Sequence, residues 1–554
     1  MKIETLHSMW NSSSACDLDY CEQGEQDPMG VLPSSAVPLA EVSASMATSS
    51  DVIHVCVALS VLYGLVRVIQ RYGAYVFNEA LTPEQRKDRP DDRLVTRIHG
   101  AYYDLSSFHH PGGPIAVSLI HRRDGTALFE SHHPFVSRGM LTKILSKYEI
   151  SKKAYLDGCT PLDPRDTGYY DWEGIDEDAF AQELRGHVND YFRGIAKRKG
   201  ITLNQAAKAT PARWALIISL MACFFGTLPS FINGNWLFLF MSPVLAWVTA
   251  VNYVRSSVCV SLLYTIVHYS NSSSAPTRII ETVQWHDGLH FSLSTDWRVN
   301  AWLPYLFPYY SSPWLWYHEH VIGHHAYPNV AHKDPDLAHA PQLMREHGSI
   351  KWKPTHASQA RWHRVLLVWS VALGIGLSLL NDAKANLKSS YNNVVPYSSL
   401  SRPRVIAHVL GRCVYVYMLH LWPFFTMPLW KALIWATVPG AMLSVCFMLN
   451  TQINHLSEAC AHASSPNFYK HQVVTAQNFG NDNLFCYYFS GGLNYQIEHH
   501  LFPTVNHCHL PALSPGIKRI CHKHGVPYNH ATGYCEAFAA HFAHTKSMSV
   551  KPPC

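Results

Sequence analysis

Three short stretches decide the fold: HDGLH at residues 286–290, HVIGHH at 320–325 and QIEHH at 496–500. Side chains four positions apart share one face of a helix, so HDGLH offers two imidazoles to one metal ion. HVIGHH adds a third imidazole that can reach a neighbouring ion. Because the seven imidazoles exceed the needs of one ion, the pattern predicts two ions. The predicted catalytic residues, of which all except the glutamine are also predicted metal ligands, are His286, His290, His320, His324, His325, His499, His500 and Gln496.

The composition indicates an integral membrane protein with sizeable aqueous parts. Of 554 residues, 48% are hydrophobic and only 15% are charged, whereas roughly 25% is usual in globular domains. The mean hydropathy of −0.05 shows that the chain is not apolar throughout. A net charge of +5 is too small to indicate a nucleic-acid partner. The 35 histidines nearly equal the 39 acidic residues, which raises the question of metal binding.

Uncharged apolar stretches predict about four transmembrane helices. No charged residue lies in 214–254, and the polar residues 233–235 divide it, so two spans of about 20 residues fit it better than one. The stretches 413–430 and 432–457 predict two more spans. Three candidate segments lie between box two and box three, and only an even number of spans there keeps both boxes on the same side of the membrane. The shortest segment, 365–381, is therefore expected to be an interfacial helix rather than a span.

A second group of histidines precedes the apolar stretches. FHHPGG occupies residues 108–113, and DGTALFESHHP occupies 124–134. Two separated histidines can bind one haem iron from both faces, and Pro-Gly-Gly lets the chain turn close to a flat macrocycle. Imidazole accepts iron, copper and zinc alike, but zinc has no redox chemistry. A haem in the same chain therefore favours iron at the boxes.

Residues 92–157 resemble a cytochrome b5 domain, a small α+β fold. By that resemblance, the axial haem ligands are His110 in HPGG and His133 in the following SHHP. Two further histidines, His109 and His132, lie beside them, and His109 is expected at the surface.

The three boxes resemble those of the membrane fatty-acid desaturases, and the resemblance covers residues 92 to about 545. The b5-like segment and the glutamine in QIEHH are typical of the front-end group. HDGLHFSLS, HVIGHHAYPNVAHKDPDL and SGGLNYQIEHHLFP are most similar to fungal-type delta-5 acyl desaturases. The implied fold is a multi-domain chain. It consists of a small α+β haem domain followed by an all-α integral membrane domain with a cytosolic cap that carries the boxes.

The resemblance also suggests roles for residues outside the boxes. His455, in NTQINHLSEAC, matches an extra ligand of the family and is the predicted eighth imidazole; the alternative is a histidine at the membrane interface. Gln496 could bind metal directly, hold a water molecule or line the acyl path.

Other residues near the boxes are expected to act less directly. Asp287 and His318 are expected to contact the ligands rather than the metal, and His507 and His509 are expected at the surface. Four tryptophans near box two either line an acyl path or form an interfacial aromatic belt: Trp297, Trp302, Trp314 and Trp316.

The resemblance implies an O2-dependent enzyme that inserts a cis double bond between an existing one and the carboxyl end of a polyunsaturated acyl chain. Delta-5 desaturation of C20 chains is favoured. The implied cofactors are two non-haem iron ions and haem b, with electrons from NADH through an NADH-cytochrome b5 reductase. The implied substrate is an acyl lipid or acyl-CoA. The implied location is the endoplasmic reticulum membrane, with the b5 domain and the boxes facing the cytosol; a homodimer is compatible with this scheme.

Five regions are predicted. They are a polar extension (1–91), the b5-like haem domain (92–157), a linker with a cytosolic helix (158–212), the desaturase domain (213–545) and a tail (546–554). The extension contains a weak apolar segment at 52–69, and the polar stretch 268–285 departs from the family pattern.

Other activities remain open at this point. Delta-4, delta-6 or delta-8 acyl desaturases share this scaffold, as do sphingolipid desaturases and hydroxylases. The alternatives that are not enzymes are a haem- and metal-binding membrane protein and a transporter. Intramembrane charges would favour transport, but the apolar stretches from residue 214 onward contain none.

Overall fold

The computed structural model describes residues 93–136, 138–158, 168–251, 285–302, 313–372, 390–391, 394–396 and 416–553. Three predicted features lie wholly or largely outside the described residues. They are the apolar segment 52–69, nearly all of the atypical stretch 268–285, and the second half of the predicted interfacial helix 365–381.

The described part of the chain is mostly helical. Its helices are α1 (Pro114–Leu119), α2 (Thr126–His132), α3 (Arg138–Leu145), α4 (Lys152–Gly158), α5 (Ala179–Lys199), α6 (Leu203–Ala206), α7 (Pro211–Ile232), α8 (Trp236–Val251), α9 (Trp285–Leu289), α10 (Trp297–Trp302), α11 (Pro313–Trp316), α12 (Trp362–Ala372), α13 (Trp422–Thr426), α14 (Leu429–Gln452), α15 (Phe468–Val474), α16 (Leu484–Ser490), α17 (Gln496–Leu501), α18 (Leu510–Lys523) and α19 (Tyr534–Met548). Its strands are β1 (Val95–Ile98), β2 (Ala101–Asp104), β3 (Glu149–Ile150), β4 (Ser390–Tyr391), β5 (Val395–Pro396), β6 (Gln477–Phe479) and β7 (Asn529–Ala531). Two segments, Tyr317–His324 and Tyr417–Leu421, are π-helical.

The N-terminal described segment, 93–158, combines a sheet with helices. Strands β1, β2 and β3 form an antiparallel sheet with β2 in the middle. His99 and Gly100 join β1 to β2 with positive φ angles of 47° and 78°, as this type of two-residue hairpin turn requires. The buried core of the segment consists of Ile98, Tyr103, Leu105, Val117 and Leu145.

Helix α5 lies in the region that the sequence presents as a linker. It begins where Asp178 accepts a hydrogen bond from a backbone N–H of the first turn, and it ends at Gly200 with φ of 63°. Three fully buried side chains at four-residue spacing define its inner face: Leu184, Val188 and Phe192. These side chains share a core with α17 and α18. The helix expected within the linker 158–212 therefore packs against the elements that carry and follow box three.

Two helices among the described residues, α7 and α14, are long and apolar enough to cross a membrane. Helix α8 has 16 residues and reaches the last described residue before a gap. It packs against both α7 and α14. Gly234, at a φ of 75°, forms the turn between α7 and α8, so the predicted break at 233–235 is present.

The predicted boundary between the last two spans is wrong by a few residues. The segment 413–430 is described from residue 416, and its helical part ends with α13. The backbone is extended at Met427, and Pro428 directly precedes α14. Proline is tolerated at a helix start but interrupts a helix interior, so the chain breaks here rather than at Lys431.

Large apolar side chains are exposed along the helical bundle. On α12, Trp362, Leu367 and Val371 are exposed, whereas Val365, Val368 and Trp369 are buried. The neighbouring helices add further exposed apolar side chains: Leu237, Phe240, Leu429, Trp430 and Leu433. Apolar surface of this extent is typical of a membrane-facing or binding surface.

Candidate metal centre and substrate cavity

The three boxes lie on short helical elements that meet at one end of the bundle. Box one occupies α9, and the backbone N–H of His290 still bonds to the carbonyl of His286 (3.3 Å). Box three occupies α17, whose residues are all buried. Box two occupies the π-helical segment Tyr317–His324.

The π-helical turn changes which histidines of box two align. The backbone N–H of His325 donates to the carbonyl of His320 at 2.7 Å, a bond between residues five positions apart. The Nε2 atoms of these two residues lie 3.0 Å apart. His324 is also close, with its ring 5.4 Å from that of His320. All three imidazoles of box two therefore reach one buried region.

The eight predicted imidazole ligands form one continuous group. The nitrogen atoms of its first subset lie within 4.8 Å of one another; this subset is His286, His290, His320 and His499. The same limit holds for the second subset, which is His324, His455 and His500. His325 lies between the subsets, with its ring 4.4 Å from that of His290 and 4.2 Å from that of His500.

Unpartnered nitrogens show that this group fits metal ions. Buried polar atoms are normally hydrogen-bonded, yet several here have no partner: His286 Nε2, His290 Nδ1 and Nε2, His325 Nδ1, His499 Nε2 and His500 Nε2. The Nε2 atoms of His324 and His455 lie 3.2 Å apart. Two imidazoles bound to one ion at about 2.0–2.1 Å have nitrogens about 3 Å apart. The residues therefore fit two ions bound by imidazole.

Polar neighbours orient the ligand rings. Nδ1 of His324 donates to Asp334 (3.1 Å), Nδ1 of His455 to the carbonyl of Thr475 (2.9 Å), and Nδ1 of His500 to Oε1 of Gln472 (3.1 Å). Each of these bonds leaves Nε2 facing the centre of the group.

The surroundings lower the pKa of most of these imidazoles but raise the pKa of His324. Burial, reinforced by neighbouring imidazoles, lowers the pKa well below the usual value for His290, His320, His325, His499 and His500. Burial also lowers the pKa of His455 to about 3. Neutral imidazole is the form that binds metal. Burial alone would lower the pKa of His324 as well, but the carboxylates of Asp334 and Asp336 raise it to about 9.

A buried polar network supports box one. Oδ2 of Asp287 lies 3.5 Å from the Arg213 guanidinium and accepts a hydrogen bond from Asn506 (2.9 Å), and Oδ1 lies 3.4 Å from Nδ1 of His286. Burial alone would raise the pKa of Asp287, but His507, His286 and Arg213 hold it below its usual range. Asp287 is therefore an ionised carboxylate beside a predicted ligand.

The expectation that His507 and His509 lie at the surface is wrong, because they are only 2% and 5% exposed. Nδ1 of His507 donates to the carbonyl of Gly491, and its Nε2 lies 3.1 Å from Nδ1 of His499. His509 bonds to the carbonyl of Lys208 (3.0 Å). His507 thus orients a predicted ligand. It lies in a turn after α17, so no helical spacing indicates this contact.

The remaining neighbours of box two have different contacts. His318 is buried and donates to the carbonyl of Trp314 (2.8 Å). Trp316 stacks on His320, with ring centres 4.0 Å apart. Trp297, on α10, lies against Gly113 of the HPGG turn. Trp302 lies at the end of α10, next to a gap in the described residues.

A cavity adjoins the imidazole group; we call it the site cavity. Its lining includes four predicted ligands, His286, His320, His324 and His455. Its apolar wall is formed by Trp247, Trp316, Phe447 and Leu493. The lining therefore combines imidazoles with apolar side chains, as ligand-binding cavities commonly do.

Gln496 lies in the wall of the site cavity. Its Nε2 is 3.0 Å from Nε2 of His455, and its Oε1 accepts a hydrogen bond from Asn454 (3.1 Å). The side chain is 3% exposed. Gln496 therefore contacts a predicted ligand and the cavity at the same time.

In the N-terminal segment, the rings of His110 and His133 have centres 5.8 Å apart and planes inclined by 83°. Nδ1 of His133 donates to the carbonyl of Phe129 (2.8 Å), which leaves Nε2 for a metal. A Cβ at Gly112 would lie 2.9 Å from the His110 ring, so the turn needs glycine there. The two residues fit the ligation of one haem iron. His109 is exposed, as expected, whereas His132 is half-buried.

Burial keeps this imidazole pair neutral. Burial and then the neighbouring His133 lower the pKa of His110 to about 4. Burial also lowers the pKa of His133. Both rings are therefore in the form that binds iron at neutral pH.

Comparison with known proteins agrees with this site. Residues 274–532 match the family model for fatty acid desaturases. The chain carries a fatty acid desaturase domain, and its class is that of oxidoreductases acting in lipid metabolism. No solved structure matches the chain significantly.

Curated relatives are similar over most of the chain. It is 25% identical over 494 residues to the Delta(5) fatty acid desaturase A of Dictyostelium discoideum, and the alignment covers 85% of this chain and 93% of the relative. It is 28% identical over 485 residues to the acyl-lipid (8-3)-desaturase of Physcomitrium patens, covering 84% and 90%. It is 24% identical over 470 residues to the acyl-lipid omega-13 desaturase of Chlamydomonas reinhardtii, covering 80% and 91%. These similarities support a front-end fatty acid desaturase.

Proposed function

We propose that the protein is an O2-dependent front-end desaturase that inserts a cis double bond at the delta-5 position of C20 polyunsaturated acyl chains. The observation that carries the proposal is the buried imidazole group, with its unpartnered nitrogens, beside the site cavity. The Delta(5) relative supports the choice of position. The acyl-lipid names of two other relatives favour an acyl lipid over acyl-CoA as the substrate.

The imidazoles divide into two sets of metal ligands. One iron ion would be held by His286, His290, His320 and His499. The other would be held by His324, His455 and His500, with His325 between the two. When bound, the pair of ions supplies the oxidising power, from O2 and two electrons, that removal of two hydrogens from unactivated methylenes requires.

The chain itself positions the acyl group and keeps water away. Trp247, Phe447 and Leu493 provide an apolar surface opposite the ligands. Trp316, stacked on His320, fixes the ring of a ligand at the edge of the cavity. Gln496, held by Asn454, presents its amide between His455 and the cavity. A dry, shaped site of this kind limits side reactions of a strong oxidant.

The N-terminal segment is proposed as the electron entry. His110 and His133 would hold haem b, reduced by an NADH-cytochrome b5 reductase. The proposed location is the endoplasmic reticulum membrane, with residues 92–157 and the boxes on the cytosolic side. The exposed apolar side chains of α8, α12 and α14 support membrane insertion.

Expression in a host that lacks polyunsaturated fatty acids tests the proposal. C18, C20 and C22 substrates are fed separately, and new double bonds are located by mass spectrometry. A bond at carbon 5 of C20 trienoic or tetraenoic acids is expected. A bond at carbon 4, 6 or 8 would contradict the delta-5 position, and a hydroxylated product would contradict desaturation. The variant His499→Ala serves as the inactive control.

A further inference from the structure

One buried carboxylate lies beside imidazoles from two different parts of the site. Asp287, in box one, is 2% exposed. Its Oδ1 accepts a hydrogen bond from Nδ1 of His286 at 3.4 Å and lies 3.3 Å from Nδ1 of His507. The first imidazole belongs to box one, and the second follows box three in the chain. A single oxygen atom of Asp287 therefore contacts both parts of the site.

The other oxygen of this carboxylate holds Asp287 in place. Its Oδ2 accepts a hydrogen bond from Asn506 at 2.9 Å and lies 3.5 Å from the guanidinium of Arg213, which is itself only 1% exposed. A buried charge is stable only when it is paired and hydrogen-bonded, and these two groups meet that requirement. Because Oδ2 is occupied by Asn506 and Arg213, Oδ1 is left for the imidazoles.

The hydrogen bonds of His507 determine how it acts on box three. Its Nδ1 donates to the carbonyl of Gly491 (2.8 Å), and a neutral imidazole that donates through Nδ1 accepts through Nε2. This Nε2 lies 3.1 Å from Nδ1 of His499, which is therefore the donor. Nε2 of His499 then remains as the atom that can bind metal, and it has no hydrogen-bond partner. Asp287, His507 and His499 thus form a chain of contacts that ends at a predicted ligand atom.

The two ligands that this carboxylate supports belong to one predicted ion. His286 and His499 both lie in the first subset, and the Nε2 atoms of both have no hydrogen-bond partner. The three ligands of the second subset donate from Nδ1 to other groups, none of which is Asp287. The contacts of Asp287 therefore favour one of the two ions.

A third ion bound by Asp287 itself is the alternative to a supporting role. The ligand atoms of His286, Asp287 and His507 lie within 4.8 Å of one another, a spacing that suits a metal ion. However, the guanidinium of Arg213 already lies beside the same carboxylate, and like charges repel strongly in a buried site. Nδ1 of His507 also donates to Gly491 and so has no lone pair for a metal. These contacts favour support of ligands over direct metal binding.

We propose that Asp287 and His507 are positioning residues for the first iron ion, because the carboxylate supports His286 directly and supports His499 through His507. The inference rests on the proposed function, since it takes His286 and His499 as ligands of one iron ion. An acceptor behind a ligand imidazole fixes the orientation of the ring and raises its basicity, and loss of such a contact typically lowers metal affinity about 10- to 100-fold. The loss is expected at one of the two ions.

Iron binding by single variants tests this arrangement. Non-haem iron is removed from the purified full-length protein with a chelator and is returned stepwise as the Mössbauer isotope, so that the haem iron stays nearly silent. Asp287→Asn and His507→Gln are each expected to weaken one ion about 10- to 100-fold and to change the quadrupole splitting of that ion alone. His509→Gln is the matched control. His509 is also buried and lies in the same turn, but it bonds to the carbonyl of Lys208.

A double variant distinguishes a chain of contacts from two independent ones. If the carboxylate reaches His499 only through His507, the affinity loss in Asp287→Asn combined with His507→Gln is smaller than the product of the two single losses. A loss equal to that product would contradict the chain. Weakening of both ions to the same extent would also contradict it, as would a third iron ion that the wild type binds and Asp287→Asn does not.

The comparison of His507→Gln with His509→Gln decides the matter even if Asp287→Asn fails to fold, which can happen because Arg213 then loses a charged partner. Equal iron affinity and equal spectra in these two variants would overturn the inference. Conversion of acyl substrates is measured separately. If the wild type converts none while its iron binding depends on His507 as described, the proposed function fails and the inference stands. If the wild type is active but His507→Gln keeps its iron affinity and spectrum, the inference alone is wrong.

Discussion

The Nε2 atoms of His320 and His325 lie 3.0 Å apart although the residues are five positions apart in the chain. In an α-helix, residue 320 would align with residue 324. The π-helical segment Tyr317–His324 widens the turn and aligns residue 325 as well. One short element therefore supplies nitrogens to both halves of the imidazole group, which makes box two the link between the two predicted ions.

Replacement of His325 is expected to weaken the binding of both predicted iron ions. Because His325 lies between both subsets, His325→Ala should lower the iron content of the purified full-length protein to half of the wild-type value or less. Iron per chain is measured by mass spectrometry of the digested protein. His318→Gln is the control, since His318 is buried in the same element but bonds to the Trp314 carbonyl. Equal iron content in His325→Ala and the wild type would contradict the bridging position.

The carboxylate of Asp334 is expected to strengthen iron binding through His324. It is 1% exposed and accepts hydrogen bonds from Nδ1 of His324 and the backbone N–H of Asn329. Asp334→Asn keeps the shape but removes the charge, so iron affinity should fall about 10- to 100-fold. Competition with a coloured iron chelator measures this affinity. Asp296→Asn, an exposed carboxylate beside Arg298, should change nothing; a similar loss in both variants would show a nonspecific effect.

The contact between Gly113 and Trp297 is expected to hold the N-terminal segment against α10. A Cβ at Gly113 would lie 2.4 Å from Cδ2 of Trp297, so Gly113→Ala must displace the indole. Hydrogen exchange of residues 297–302 should then become faster. Gly100→Ala is the matched control, because Gly100 also has a positive φ but a Cβ there would meet nothing within 4 Å. If both variants exchange alike, backbone strain alone explains the effect.

The spacing within the boxes predicted which of seven imidazoles share a helix face, because helical periodicity carries that information locally. The eighth imidazole, His455, was predicted only from the family resemblance. The spacing could not predict that box two is π-helical. The widened turn, in which the His325 N–H bonds five residues back to the His320 carbonyl, depends on how box two packs between α9 and α17. The buried position of His507 was also unpredictable, because Asp287 comes from a distant segment and the turn between His499 and His507 has no regular spacing.

Apolar runs and turn residues located the break between α7 and α8. They misplaced the start of α14, because no charged residue marks the break at Pro428. Trp297 illustrates the same limit. Its sequence position near the boxes suggested an acyl path or an interfacial belt, but its contact with Gly113 arises from a separate segment of the chain.

The ion pair of His339 predicts a stability that depends on pH. Nε2 of His339 lies 2.8 Å from Oε1 of Glu319. Burial alone lowers the pKa of His339, but Glu319, Asp336 and Glu346 raise it from the usual 6.5 to about 10. A pKa that is higher in the folded state stabilises the fold fully below pH 6.5, and the stabilisation is lost as pH rises towards 10.

The thermal unfolding midpoint of the detergent-solubilised protein, measured from pH 6 to pH 10, checks this prediction. At pH 6 the free energy of unfolding of His339→Gln should be lower than that of the wild type by a few kcal/mol, since each tenfold change in proton affinity is worth about 1.4 kcal/mol. Its unfolding midpoint should be lower accordingly. The difference should shrink steadily towards pH 10. His363→Gln, at an exposed position on α12, should track the wild type throughout. A His339→Gln deficit that stays constant across this range would mean that lost packing, not the charge of the imidazolium, explains it.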